Sequence, residues 1–146
     1  MRISLNNLRR NKVDLTNNLG LSNHEILMRA RADLRLGLPI VLASKKNYAI
    51  MASVEVLNQT RLDQLKLIDQ NSFILITAKR AQTLKCPVYD GNFSRIKLDN
   101  EPKIQLLKAI SDPSLDLSYP LKGPFNIIRE KSLKLENEAL LLLKSA

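Results

Sequence analysis

Residues 111–126 read SDPSLDLSYPLKGPFN, and no other stretch limits the fold of this chain so strongly. Three prolines and one glycine fall within sixteen residues. Each proline lacks a backbone N–H and fixes its own φ, so neither a continuous helix nor a central strand can run through the segment. It divides the chain into a body over 21–110, a Pro-rich connector over 111–131 and a last helix over 132–146, where ALLLLKSA is apolar almost all round. Residues 1–20 are polar and aperiodic and read as a flexible basic arm.

The body alternates strand and helix signals. Ser22-Asn23-His24-Glu25 spells a capping box, in which the serine oxygen takes a backbone N–H and the glutamate reaches back. Ile26, Leu27, Ala30 and Leu34 then recur at helical spacing, with Arg31 and Arg35 on the other side. Gly37 stops this helix. PIVLA and YAIMASV read as strands joined by a Lys45-Lys46-Asn47 turn. Thr60 is the expected cap of a second helix carrying Leu62, Leu65, Leu67 and Ile68. SFILIT is a buried strand that runs into AKRAQTLK, a short helix capped by Thr77. Residues 88–100 read as an extended segment with a loop. EPKIQLLKAI is a helix with Pro102 in its first turn, and Ser132 is the expected cap of the last one. The pattern predicts an α/β fold: a single small domain with a mixed sheet and flanking helices.

Composition removes several functions. One cysteine excludes an internal disulfide and fits a reducing cytoplasm. The N-terminus lacks the apolar core of a secretory signal, and no apolar run is long enough to span a bilayer, so no membrane partner is expected. The one Cys and one His belong to no CxxC, HExxH or comparable pattern, and no GxSxG elbow is present, which argues against a zinc site and against a Ser–His or Cys–His catalyst. His24 reads as a surface residue and Cys86 as a half-buried thiol. No Gly-rich phosphate loop is present. The net charge of +9 raises the question of nucleic acid. Yet the basic residues are spread along the chain without interleaved aromatics, so a small nucleic-acid binder using the arm and the Arg31/Arg35 face stays a secondary reading.

Two constellations could carry chemistry. Asp112 and Asp116 stand four apart, but the turn-rich surroundings favour local capping over metal binding. In ILITAKRA, a strand delivers Thr77 to a helix N-terminus, with Lys79 and Arg80 in the first turn. Cations are unfavourable there unless an anion compensates them. One reading is a phosphate or carboxylate pocket built by Thr77, Lys79 and Arg80. The other, and the weightier, is an ordinary cap followed by solvated basic residues.

Three blocks in order, MRARADLRLGLPIVLA (28–43), FILITAKRAQTLK (73–85) and ISDPSLDLSYPLKGPF (110–125) followed by ALLLLKSA (139–146), resemble the N-terminal region of alphaproteobacterial-type GTP cyclohydrolase II of riboflavin biosynthesis. The resemblance covers roughly 23–146. It implies a protein whose catalytic half, with its zinc site and triphosphate-binding arginines, lies outside this sequence, so that no cofactor belongs to this chain and the chain is not active alone. It also implies a distant likeness to dihydroxybutanone phosphate synthase, whose magnesium-binding acidic loop is replaced here by Lys45 and Lys46 in SKKNYAIM. The implied role is structural: docking to the catalytic half or forming a homo-oligomer, with Leu140 and Leu143 as docking residues. A residual nucleotide-binding enzyme of that family is the alternative.

Overall fold

Ser22 begins the first helix as its four-residue signature requires. In the computed structural model, which describes residues 20–45, 47–89, 91–130 and 134–146, Ser22 Oγ accepts the Glu25 N–H at 3.3 Å. The Glu25 carboxylate accepts the Ser22 N–H at 2.7 Å. The Ser22 hydroxyl, donating to the same carboxylate at 2.6 Å, and then the Ser22 N–H hold the Glu25 carboxyl below its ordinary pKa. Helix α1 spans Asn23–Arg35. Only Leu34 of its four expected core residues is buried; Ile26 and Leu27 face outward.

Gly37 ends α1 in the left-handed region at φ +72°. Leu38 donates its N–H to the Asp33 carbonyl at 2.8 Å and Gly37 donates to Leu34 at 3.1 Å, the paired bonds of a Schellman turn. A Cβ at Gly37 would stand 2.8 Å from the Val56 carbonyl oxygen, so side-chain volume and backbone conformation both forbid one. Gly37→Ala is expected to lower stability by about 2 kcal/mol; a denaturation midpoint equal to that of the wild type would refute it.

Strands β1 (Ile40–Ala43) and β2 (Tyr48–Met51) form an antiparallel hairpin. Helix α2 (Gln59–Ile68) is capped by Asn58, whose side chain accepts the Arg61 N–H at 2.9 Å. This corrects the expectation of Thr60: the extended residue is Asn58, and Thr60 already lies inside the first turn. Leu62 is buried, whereas Leu67 and Ile68 are exposed.

Strand β3 (Phe73–Thr77) leads directly into helix α3 (Ala78–Thr83), and the chain returns as β4 (Phe93–Lys97), antiparallel to β3. Here the expected mixed sheet is corrected. The described residues form two separate two-stranded sheets, both antiparallel. The reason is length. Six helical residues advance only about 9 Å, so α3 cannot carry the chain back to the start of β3, and β4 begins opposite its end, Phe93 against Thr77. Residues 126–128 lie along the other edge of β4, through Lys97 N–H to Asn126 O at 2.8 Å and Ile128 N–H to Arg95 O at 2.9 Å.

Helix α4 spans Ile104–Ser111. Pro102, expected in its first turn, precedes it. Gln59 performs the capping from α2, accepting the Ile104 N–H at 2.9 Å and donating to the Pro102 carbonyl at 2.9 Å. Leu57, Leu62, Ile74, Ile76, Ala81, Cys86, Ile96, Leu98, Ile104, Leu107 and Ile110 form the core. A short 3-10 turn, Pro113–Leu115, opens the connector. Helix α5 (Lys134–Ser145) packs on α1, β1, β2 and β3. Residues 1–19 of the arm expected over 1–20, and the Ser132 cap, lie outside the described residues. The molecule is a small α/β domain with five α-helices among the described residues.

Candidate functional site at the connector

The first turn of α3 separates the three residues singled out for phosphate. Thr77 is the cap, its hydroxyl accepting the Arg80 N–H at 3.2 Å. Lys79 is exposed to solvent. The Arg80 side chain turns away from the helix end and is buried, 7% exposed. Its Nε donates to the Ile110 carbonyl at 2.6 Å and its Nη2 to the Ala109 carbonyl at 2.9 Å. These are carbonyls at the end of α4, which lack partners within their own helix. The same guanidinium grips Asp116 through two bonds of 2.7 Å, Nη1 to Oδ2 and Nη2 to Oδ1. Such a fork is the strongest and most directional pairing open to arginine.

Asp116 also receives Lys122, whose side chain is 5% exposed. Arg80 first, then Lys122, holds the Asp116 carboxyl far below the usual carboxylate range, and Asp116 in turn raises the Arg80 pKa. Asp112 does local work. Its Oδ1 accepts the Ser114 N–H at 2.8 Å, and Ser114, hydroxyl first, lowers its pKa. Arg80, Asp116 and Lys122 thus form an ionic clasp that fastens the connector to both α3 and α4. The compensating anion that the basic first turn of α3 called for is this chain's own carboxylate, 36 residues further on.

Beside the clasp lies an open cavity of about 610 Å³, lined by residues that include Thr83, Lys85, Asp116, Lys122 and Phe125. It offers no nucleophile paired with a base. Among the described residues no three His, Cys, Asp or Glu side chains stand close enough to hold a metal ion. Cys86 is buried, and loss of solvation pushes its thiol pKa up, away from the reactive thiolate.

Leu117 and Leu121 are 95% and 92% exposed on either side of Tyr119, an apolar display on a segment whose backbone is fastened at Asp116 and Lys122. Leu140 and Leu143 are half-buried on α5 within this chain, while Leu141 is exposed. Arg31 donates to Ser145 Oγ at 3.0 Å and Arg35 to the Ala146 carbonyl, so the basic side of α1 faces the end of α5. Sequence reasoning missed Lys122 and the pairing of Arg95 with Glu136; the periodicity of one segment does not encode a partner on another. No protein-family model, no curated protein and no solved structure matches this chain.

Proposed function

We propose that this chain is a non-catalytic docking domain of a GTP cyclohydrolase II-like protein of riboflavin biosynthesis, acting in the cytoplasm and binding the zinc-containing catalytic half. Its fold is read as a degenerate relative of dihydroxybutanone phosphate synthase, with Lys45 and Lys46 where that enzyme's acidic loop would stand. The observation that supports the docking role is the display of Leu117 and Leu121 on a connector held by the Arg80–Asp116–Lys122 clasp. Two nearly bare leucines on a fixed backbone cost little entropy to bury, as a docking surface requires. They supplement Leu140 and Leu143, whose half-burial gives them a packing role within this chain as well.

The test is calorimetric titration of the purified chain with a zinc-loaded cyclohydrolase half. Saturable binding is expected, weakened at least tenfold by Leu117→Asp with Leu121→Asp, a pair of changes that leaves the core untouched. Binding insensitive to both substitutions would sink the docking surface. Formate release from GTP by the chain alone would sink the non-catalytic reading. GTP retention abolished by Lys79→Ala would favour the phosphate-binding alternative instead.

A further inference from the structure

The β1–β2 hairpin is apolar on both faces. Ile40, Leu42, Ala49 and Met51 turn inward, where α5 packs, while Val41, Tyr48 and Ile50 face outward at 64%, 80% and 43% exposure. An isolated two-stranded hairpin is marginal in water; here α5 supports the inner face, while the outer face carries exposed apolar side chains. Exposed strand edges are commonly guarded by a lysine, a proline or a bulge. Pro39 stands immediately before β1, but Tyr48–Met51 contains neither a charge nor a proline.

The hydrogen-bond phase of the hairpin identifies the groups at the open edge of β2. Ser44 donates its N–H to the Asn47 carbonyl at 2.7 Å, which closes the turn with a hydrogen-bonded pair. Alternation along an antiparallel ladder then makes Leu42–Ala49 and Ile40–Met51 the bonded pairs. Tyr48 and Ile50 therefore point their N–H and C=O groups away from β1. Those groups have no backbone partner among the described residues.

We propose that this edge pairs with β2 of a second copy of the chain about a two-fold axis at Ala49. In that register Tyr48 lies opposite Ile50 of the second copy, and Ile50 opposite its Tyr48. Each pair exchanges two backbone hydrogen bonds, so every outward donor and acceptor of both residues is used. Each pair also sets an aromatic ring beside a β-branched side chain on the outer face, a favourable cross-strand combination. The small Ala49 side chains meet at the axis, where strands approach most closely. Charge sets a condition on the contact. Two chains of net charge +9 repel, and this strand lets them meet without placing one charged side chain opposite another. A charged peptide would find no counter-charge on Tyr48–Met51. The result is a four-stranded antiparallel sheet with a self-complementary interface. It rests on the hairpin alone, and stands or falls separately from docking at the connector.

Sedimentation of the full chain over a concentration series should show a reversible monomer–dimer equilibrium. Tyr48→Lys with Ile50→Lys should weaken the dimer at least tenfold while circular dichroism stays unchanged, since both side chains are exposed in the monomer. Val41→Lys, on the other strand of the same face, should leave the dimer within twofold. Ala49→Cys should form an intermolecular disulfide on mild oxidation, because the pair at the axis brings the two Cα atoms to about 4.5 Å, inside the range a disulfide spans. A monomer at every concentration would overturn the proposal. So would a dimer that survives the double lysine variant, one that Val41→Lys abolishes, or an Ala49→Cys variant that fails to cross-link.

Discussion

Arg80→Ala should lower the stability of this chain by about 3 kcal/mol, through loss of charge-assisted bonds to two helix-end carbonyls and a carboxylate. For a domain of this size that shift moves the melting temperature by roughly 10 °C. Arg80→Lys should recover little of it, since a single ammonium cannot serve Ile110, Ala109 and both oxygens of Asp116 together. The connector should loosen before the rest, so limited proteolysis of Arg80→Ala should cut within 112–125 faster than in the wild type. The same clasp sets an acid limit. The Asp116 carboxyl is depressed in the folded state, so its contribution is complete above the unfolded carboxylate pKa near 4 and is lost as the pH falls below it. Asp116→Asn should remove this part of the acid dependence. A wild-type melting temperature in Arg80→Ala, or cleavage elsewhere first, would show that the clasp does not hold the connector.

That clasp marks where sequence reading succeeded and where it stopped. The capping box at Ser22–Glu25, the glycine stop at Gly37, the strand FILIT and the Thr77 cap are each encoded in a few adjacent residues, and each appears in the structure. In the first turn of α3 the local pattern favours solvated basic residues, whereas Arg80 is buried against an anion of the same chain. Its identity was hidden because Asp116 lies beyond a strand, a helix and a turn. Strand β4 was obscured for a related reason. In FSRIK, Ser94 and Arg95 interrupt the apolar pattern, yet the first four residues are buried. Ser94 is satisfied by the Pro87 carbonyl at 2.9 Å, and Arg95 by groups on later segments. A polar residue can occupy a core strand once a distant partner is supplied, and no local window contains that partner. ALLLLKSA likewise gives no local sign of the partners it meets within the chain: Leu140 and Leu143 are half-buried on α5, which packs on α1 and the strands.

Arg95 carries the second large effect. Arg95 is 7% exposed, with its guanidinium bonded to the Glu130 carbonyl, 3.4 Å from Glu136 Oε1 and 6.0 Å from the centre of the Phe73 ring. Glu136 sits on α5, 41 residues later, so the pair joins the β3–β4 sheet to the last helix much as Arg80 joins the core to the connector. The pairing is incomplete. Among the described residues Glu136 Oε2 is buried without a hydrogen-bond partner, which leaves part of the carboxylate's desolvation uncompensated. Removing the arginine alone would strand the whole carboxylate. Arg95→Ala is therefore expected to cost about 4 kcal/mol. Replacing both members, Arg95→Met with Glu136→Leu, removes the two buried charges together and should return stability to within about 1.5 kcal/mol of the wild type. The comparison separates the worth of the pair from the cost of breaking it. If the double variant were as unstable as Arg95→Ala, the remaining contacts of Arg95, and not its ion pair with Glu136, would be what fastens α5 to the sheet.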